Sequence, residues 1–403
     1  MDSSIGERIR NRVARFTHGR VGGEWGGRHL LHSRPSASGD MLLTSNDYLA
    51  LARDSRITAA MTAALEGQGG PLASGVFVHG AHPQIRFEQK MADHMLAPAG
   101  ILCQSGWDAN AGLLQSIADA DTPVYVDNIA HMSLWAGAKN AGAPVYPFRH
   151  NSPEKLRERI AERGPGIIAV DSIYSTNGSR CPLESMCDIA DETGSVLVVD
   201  ESHSLGTDGP DGAGMVVEFG LADRVHFRIA SLSKAFAGRA GFVTAPNSDF
   251  AEYFKMESYP AVFSTTLLPH DIAGLSATLD IIRQDGWRRE RLIEVSVRIR
   301  RELTALGFDL EDSDSQIVAV QTGPDLHTFA VRDFLEERGI FGSVFCPPAT
   351  SRQRTLIRFS LHAALTDSDV DRIIEACTAV RDRFGAEAPK PGGLDESAQS
   401  IAN

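Results

Sequence analysis

Lys234 lies in the stretch RIASLSKAFAGRAGFV (228–243), which is made mostly of small and apolar residues. The chain contains six lysines against thirty-three arginines, so its basic surface is made mainly with arginine. The neighbouring alanines and glycines would let a flat ligand lie against the backbone. A lysine amine in such surroundings suits a Schiff base with an aldehyde cofactor, although most lysines are simply solvated at a protein surface.

A carboxylate, Asp200, ends the apolar run of SVLVVDESH (195–203), 34 positions before Lys234. A carboxylate held at a strand end can pair with the protonated ring nitrogen of pyridoxal phosphate (PLP) and keep that ring an electron sink. His203 follows three positions later, within reach of the phenolic oxygen of such a cofactor. The alternative is that Asp200 and His203 only cap a loop.

The segment CQSGWDANAGLLQ (103–115) predicts a helix that begins after Ser105, because serine is a preferred N-cap and apolar residues then recur at helical spacing. A helix start with free N–H groups and a glycine can hold a phosphate. This indication of a phosphate site is weak, because any capped helix has the same features. In DNIAHMSLWAG (127–137), His131 follows a strand and offers a flat ring that can stack on a pyridine. A lone histidine is more often structural.

Four short apolar runs that end in polar residues predict the strands that position these groups. The runs are 122–127, 166–172, 195–202 and 225–231, and helical spacing lies between them at 152–164 and 184–194. Apolar strands alternating with amphipathic helices predict a parallel sheet covered on both faces. Ligands bind such sheets beyond the carboxyl ends of the strands, where the polar residues follow.

The pattern changes beyond about residue 280, where RRERLIEVSVRIRRELTALGF (288–308) predicts a long amphipathic helix followed by shorter elements. We therefore predict an N-terminal segment (1–55), a large cofactor-binding domain (56–280), a small α+β domain (281–385) and a tail (386–403). The tail is rich in Pro, Gly and Ser and poor in apolar residues, so we expect it to be disordered.

The composition excludes several classes of protein. The net charge of −13 argues against a nucleic-acid partner, which would require a basic face. The N-terminus lacks the apolar core of a signal peptide, and no apolar run approaches the ~18 residues of a membrane helix. The five cysteines are odd in number and lack CxxC spacing, which predicts reduced thiols, a cytoplasmic location and no metal site.

Four motifs, in this order and at this spacing, resemble those of the α-oxoamine synthases: SGWDAN (105–110), AHMSL (130–134), VVDESHSLGTDGPDGAG (198–214) and SLSKAFAG (231–238). These enzymes are PLP-dependent acyltransferases of aminotransferase fold type I. The resemblance extends from SNDYLAL (45–51) to IRFSLHAALTDSDVDRI (357–373). It implies an α/β fold, with a large domain whose mostly parallel sheet is sandwiched by helices and a smaller α+β C-terminal domain.

Within that family, the chain is most similar to the synthases that make α-aminoketone precursors of hydroxyketone quorum-sensing signals. The closer match lies in stretches such as QSGWDANAGLLQ, YPAVFSTTLLP and FGSVFCPPATS, and Ser202 agrees with it because many other relatives have alanine there. The segment SGVFVHGAHPQIRFEQ (74–89) departs from the family's glycine and histidine pattern. Because this segment is predicted to border the substrate channel, the acyl-chain preference stays open.

The resemblance implies a role for each matched residue. Lys234 binds PLP and then removes the Cα proton of the amino acid, Asp200 keeps the ring nitrogen protonated, and His131 stacks on the ring and positions the acyl group. The other implied ligands are, for the phosphate, Ser105, Gly106, Trp107 and Ser231, with Ser264 and Thr265 of the neighbouring subunit in a homodimer; for the phenolic oxygen, His203 and Ser175; and for the amino-acid carboxylate, Asn46 and Arg358.

The implied activity is condensation of an amino acid with a medium-chain acyl-CoA, with loss of carbon dioxide, to give an α-aminoketone. The subgroup implies S-adenosylmethionine or 2-aminobutyrate as the amino acid. Three alternatives stay open. They are another α-oxoamine synthase such as 8-amino-7-oxononanoate synthase, an ordinary aminotransferase, and a PLP-binding regulator without turnover. A regulator would be expected to lack the carboxylate-binding groups, whereas Asn46 and Arg358 are both present.

Overall fold

The computed structural model describes residues 4–67 and 74–386. All but the first residue of the predicted tail therefore lies outside the described residues. The strands within them are β1 Met41–Leu43, β2 Ala99–Cys103, β3 Val124–Asp127, β4 Val145–Phe148, β5 Ile167–Asp171, β6 Val196–Asp200, β7 Phe227–Ser231, β8 Gly241–Ala245, β9 Ile317–Gly323, β10 Ile340–Phe345 and β11 Thr355–Ser360.

The α-helices of the same residues are α1 Ile5–Ala14, α2 Ser55–Glu66, α3 Pro83–His94, α4 Gly106–Ile117, α5 Met132–Asn140, α6 Pro153–Arg163, α7 Leu183–Thr193, α8 Met215–Glu218, α9 Ser248–Glu257, α10 Tyr259–Val262, α11 Pro269–Gln284, α12 Gly286–Ala305, α13 Asp325–Glu336 and α14 Asp367–Phe384. A π-helical stretch, Arg15–Glu24, follows α1, and short 3-10 turns lie at Gly75–Phe77 and Pro210–Gly212. No helix in the described ranges is both long and apolar enough to cross a membrane.

Seven strands form the large sheet, in the order β2-β8-β7-β6-β5-β3-β4. β8 is antiparallel to both of its neighbours, and the other pairings are parallel. Every residue of the interior strand β5 is buried, as an apolar strand covered by helices on both faces requires. The prediction of a mostly parallel sheet between helices is confirmed.

The four predicted strands are β3, β5, β6 and β7, each within two residues of its predicted bounds. Because these strands are parallel, their carboxyl ends lie at one edge of the sheet, where Asp127, Asp171, Asp200 and Ser231 end them. Asp171 and Asp200 are direct neighbours in the register of β5 and β6. The polar groups that the sequence placed after strands therefore meet at the edge where parallel sheets bind ligands.

A second sheet has four strands in the order β1-β10-β11-β9 and contains the three strands that follow residue 280. Its edge strand β1 comes from the predicted N-terminal segment and pairs in parallel with β10. The long helix predicted at 288–308 is α12. The boundary predicted at 280/281 falls inside α11, and the division into domains stays a prediction.

Candidate active site

Lys234 lies in the tight loop between β7 and β8. The loop is closed by a hydrogen bond from Leu232 N–H to Ala240 O at 2.9 Å and by one from Gly238 N–H to Leu232 O at 3.1 Å. The next turn requires a left-handed conformation at Ala237, with φ of 50°. The small residues around Lys234 therefore allow this tight backbone conformation. The Lys234 side chain is half-buried.

The surroundings of Lys234 favour its neutral amine. Burial lowers the pKa of Lys234, and the charge of Arg358 lowers it further, while Asp200 acts in the opposite direction. A lysine with a lowered pKa has more of its amine unprotonated near neutral pH. Such an amine can attack an aldehyde and can accept a proton.

Asp200 is buried, with 4% of its surface exposed, and its carboxylate is held by two donors. Asn110 Nδ2 donates to Oδ2 at 2.6 Å, and the backbone N–H of Ser202 donates to Oδ1 at 2.8 Å. Burial raises the pKa of the neighbouring Asp171 well above its usual range, and the charge of Asp200 raises it further, because both disfavour the ionised form of Asp171. Asp200 is thus fixed in orientation and suited to pair with one cationic ring nitrogen.

The start of α4 and the end of β7 form a close-packed cradle. Ser105 caps the helix by accepting from Asp108 N–H at 3.1 Å, as predicted. A Cβ on Gly106 would lie only 2.5 Å from Ser231 Cβ, so the glycine permits this approach. Ser231 Oγ lies 2.7 Å from Ser233 Oγ. Free N–H groups of a helix start beside serine hydroxyls make a site suited to a phosphate.

His131 is the N-cap of α5 and faces the same pocket. Its Nδ1 lies 2.6 Å from Ser133 Oγ, and its backbone N–H donates to Asp171 at 3.1 Å. Although the ring is exposed toward the pocket, desolvation by the surrounding protein lowers the pKa of His131, with Asp200 acting in the opposite direction. The neutral ring is therefore available to stack on a flat cofactor.

His203 is buried next to Tyr48. The Tyr48 hydroxyl lies 2.7 Å from His203 Nδ1. Burial lowers the pKa of His203 well below its usual value, and the charges of Lys234 and Arg358 lower it further. A neutral imidazole with one nitrogen engaged by a phenol keeps the other nitrogen for a ligand.

Arg358 lies on β11, is buried with 5% of its surface exposed, and has only neutral partners among the described residues. Its guanidinium donates to Ser175 O at 2.5 Å and to Asn46 Oδ1 at 3.0 Å, and it stacks over Phe345. Its Nε is buried and has no hydrogen-bond partner among the described residues. Ser360 also donates to Asn46, so Arg358 and Ser360 share one face of β11.

Three further predicted ligands are Trp107, Ser264 and Thr265. Trp107 is 47% exposed, with its ring 6.0 Å from the His131 ring in an edge-to-face arrangement. Ser264 Oγ donates to Pro260 O, and Thr265 pairs with Ser74 in an isolated bridge. Ser264 and Thr265 line a small cavity beside the start of α4 with residues such as Gln104 and Asp108.

Sequence reasoning missed Tyr48, Asn110 and Ser133, although each contacts a predicted residue. Asn110 is 1% exposed and lies on the buried, apolar face of α4. A polar residue on such a face could have indicated a site residue from the sequence. Ser133 lies two positions after His131, where a serine can hydrogen-bond the cap. Tyr48 lies in the quoted motif SNDYLAL, but only tertiary structure brings it to His203.

The comparisons with known proteins agree with this geometry. The family model of aminotransferases of class I and II matches residues 38–377. The chain belongs to that family. It is 42% identical over 351 residues to the CAI-1 autoinducer synthase of Vibrio campbellii, covering 87% of this chain and 89% of that protein. It is 31% identical to a putative 8-amino-7-oxononanoate synthase of Geobacillus kaustophilus, covering 88% of this chain and 91% of that protein.

Solved structures agree in fold. A serine palmitoyltransferase from S. paucimobilis, with bound PLP–myriocin aldimine, superposes with a TM-score of 0.85 at 25% identity, covering 96% of this chain and all of that one. The chain is therefore a PLP-dependent acyltransferase of the α-oxoamine synthase group, with the fold of PLP-dependent transferases.

The residues present fit PLP. A half-buried amine with a lowered pKa, a fixed buried carboxylate and a helix-start cradle surround one pocket at the strand ends. These three features correspond to the aldehyde, the ring nitrogen and the phosphate of the cofactor. The roles assigned to individual residues stay predictions.

Proposed function

We propose that this enzyme condenses an amino acid with a medium-chain acyl-CoA and releases coenzyme A and carbon dioxide. The product would be an α-aminoketone precursor of a quorum-sensing autoinducer. The amino acid would be S-adenosylmethionine or 2-aminobutyrate. The similarity to the CAI-1 autoinducer synthase, at 42% identity over most of both chains, favours this assignment over 8-amino-7-oxononanoate synthase, for which the similarity is 31%.

One observation carries the amino-acid half of the proposal: Arg358 is a buried cation without an anionic partner among the described residues, close enough to Lys234 to lower its pKa. Burying an unpaired guanidinium is costly, so the site is prepared for an anion. A guanidinium fork matches a carboxylate bidentately. Asn46 orients the guanidinium by accepting from Nη2 at 3.0 Å. An α-amino acid would thus be held by its carboxylate within reach of Lys234.

In this proposal, PLP is held by Lys234 at its aldehyde, by Asp200 at its ring nitrogen and by the cradle of α4 at its phosphate. When bound, the cofactor withdraws electrons from the Cα atom of the amino acid. The Lys234 amine would be placed to accept the Cα proton, because its lowered pKa leaves more of it unprotonated. Asp200 keeps a proton on the ring nitrogen. His131 covers the ring face and orients the acyl group.

We also propose a homodimer with composite sites and a cytoplasmic location. Phe263 and Phe77 are 81% and 68% exposed, and Tyr259 is 63% exposed beside Ser264 and Thr265. Exposed aromatic side chains grouped in this way are typical of protein interfaces. In such a dimer, Ser264 and Thr265 of one chain would reach the phosphate bound by the other.

A panel of acyl-CoAs and amino acids tests the activity, with free thiol and aminoketone mass as the two measurements. We expect thiol release and a decarboxylated product with a medium-chain acyl-CoA and S-adenosylmethionine or 2-aminobutyrate, and neither with Lys234→Ala. Turnover of alanine with pimeloyl thioester would instead identify an 8-amino-7-oxononanoate synthase. Amino-group transfer without thiol release would identify an aminotransferase, and bound PLP without turnover would identify a regulator.

A further inference from the structure

Asn110 and Ser133 connect the two groups that face PLP from different sides. Asn110 Nδ2 lies 2.6 Å from Asp200 Oδ2 and 2.8 Å from Ser133 Oγ. Ser133 Oγ lies in turn 2.6 Å from His131 Nδ1. Asn110 and Ser133 are 1% and 0% exposed, so water does not compete for these bonds. We call this chain of bonds, Asp200–Asn110–Ser133–His131, the relay.

The direction of each bond in the relay follows from its first member. An ionised carboxylate only accepts hydrogen bonds, so the side of Asn110 that faces Asp200 must be its NH₂ group. The same NH₂ group has a second hydrogen, which points to Ser133 Oγ. Ser133 Oγ accepts there, and its own hydrogen can point to His131 Nδ1, the other polar group within reach among the described residues. The backbone N–H of Ser133 also points at Nδ1, at 3.4 Å.

We infer that Asn110 and Ser133 are positioning residues that fix His131 as the tautomer with its proton on Nε2. The backbone N–H of Ser133 can only donate, and it faces Nδ1, so Nδ1 accepts and the Ser133 hydroxyl can donate to the same nitrogen. A neutral imidazole then carries its hydrogen on the other nitrogen. The lowered pKa of His131 agrees with a neutral ring. The charged or titratable groups around it are Asp200, Lys234, Asp171 and His203.

The consequence for catalysis rests on the proposed function. An Nε2–H group can donate to the carbonyl oxygen of an acyl thioester, where negative charge develops during attack by carbon. An Nε2 lone pair would repel that oxygen. Through the relay, Asp200 determines which nitrogen of His131 carries the proton. The residue that would pair with the ring nitrogen is thereby coupled to the residue that would contact the acyl group.

Nitrogen NMR of the PLP-loaded protein, labelled with ¹⁵N-histidine, tests the inference without substrate. The His131 signals are assigned by their loss in His131→Gln. We expect a protonated signal for Nε2 and an unprotonated, hydrogen-bonded signal for Nδ1. A proton on Nδ1 in the unaltered protein overturns the inference. Because the measurement needs no turnover, it is independent of whether the proposed activity is correct.

Two variants test the direction of the relay. Ser133→Ala should move the Nδ1 signal toward that of a free imidazole nitrogen, and Ser133→Thr should restore it. Asn110→Asp replaces the donor with an oxygen, which should turn the Ser133 hydroxyl away and transfer the His131 proton to Nδ1. The control is Ser116→Ala on α4, because the Ser116 hydroxyl donates only to Leu113 O, at 2.8 Å. An Nδ1 signal unmoved by Ser133→Ala, or moved equally by Ser116→Ala, contradicts the inference.

Discussion

Arg358 is the residue whose surroundings most narrow the choice of substrate. Its partners Ser175 O and Asn46 Oδ1 are both neutral, while its Nε is buried and unpartnered among the described residues. In RFSL (358–361), Arg358 and Ser360 alternate with the apolar Phe359 and Leu361, and both polar side chains donate to Asn46. Because burying a cation without an anionic partner is costly, we expect Arg358 to bind an anion, and we propose that this anion is the carboxylate of the amino acid.

Replacing Arg358 by lysine should therefore raise the KM for the amino acid far more than that for acyl-CoA. Lysine keeps the charge but cannot make a bidentate contact with a carboxylate. Loss of one partner from a desolvated charge pair costs about 2–5 kcal/mol, so the KM should rise more than roughly tenfold. Steady-state kinetics with each substrate varied in turn measure this. Equal rises for both substrates would mean that Arg358 supports the fold or the coenzyme.

Lys234 should be the residue that borohydride links covalently to PLP. Its amine is the half-buried one with a lowered pKa at the strand ends. Peptide mapping after reduction should find the cofactor on Lys234, and Lys234→Ala should retain none covalently. Lys255→Ala serves as the control, because Lys255 is paired with Glu88 at 3.2 Å. Cofactor on any lysine other than Lys234 would refute the central assignment.

Asp200→Asn should keep the fold and much of the cofactor but lose most activity. The amide has nearly the shape of the carboxylate but cannot hold the ring nitrogen in its charged form. Loss of an electrostatic partner of this kind lowers turnover by roughly 100-fold or more. Circular dichroism, the cofactor absorbance and kcat measure the three properties separately. Turnover close to that of the unaltered enzyme would remove Asp200 from the mechanism.

At the scale of elements, the sequence predicted the helices and strands that have strong local patterns. β5 and β6 are continuous apolar runs, and α4 begins at its serine cap, so each could be found from a few consecutive residues. β1 could not, because three residues gain their strand character only by pairing with Ile340–Gly342. The relay was missed for a similar reason, since Asn110 and Asp200 are 90 positions apart.

The close packing of α4 against β7 gives a prediction at this scale. In Gly106→Ala the new Cβ would lie 2.5 Å from Ser231 Cβ and 2.9 Å from Ser231 Cα, so the helix start must move away from the cradle. Overpacking of this kind costs about 1–3 kcal/mol, which should weaken PLP binding several-fold or more. Titration of the apoprotein with PLP measures the change.

The matched control is Gly286→Ala, at the first position of α12. A Cβ there would meet only Arg289 Nη2, at 3.6 Å, which is ordinary contact. The control should bind PLP as the unaltered protein does. If Gly106→Ala also binds PLP with unchanged affinity, the start of α4 does not hold the phosphate.

At the scale of the whole molecule, one chain supplies Lys234, Asp200 and Arg358 to the site, whereas its own Ser264 and Thr265 contact Pro260 and Ser74. Aromatic side chains next to Ser264 and Thr265 are exposed, including Phe263 at 81%. A composite site explains both observations, because a second copy would cover the aromatic residues and receive the two hydroxyls. A fully active monomer in sedimentation would contradict this arrangement.

Mixing two inactive variants decides whether the site is composite. In a mixed dimer of Lys234→Ala with a Ser264→Ala/Thr265→Ala chain, the double variant supplies the lysine and its partner supplies both hydroxyls, so one intact site forms. If Ser264 and Thr265 instead served their own chain, each site of the mixed dimer would lack a group and no activity would return. Exchange is promoted by incubating the dimers together in mild denaturant, with differently tagged chains co-purified to show that mixed dimers have formed. Thiol release by the purified mixed dimer is the expected result, and its absence in a confirmed mixed dimer would contradict a composite site.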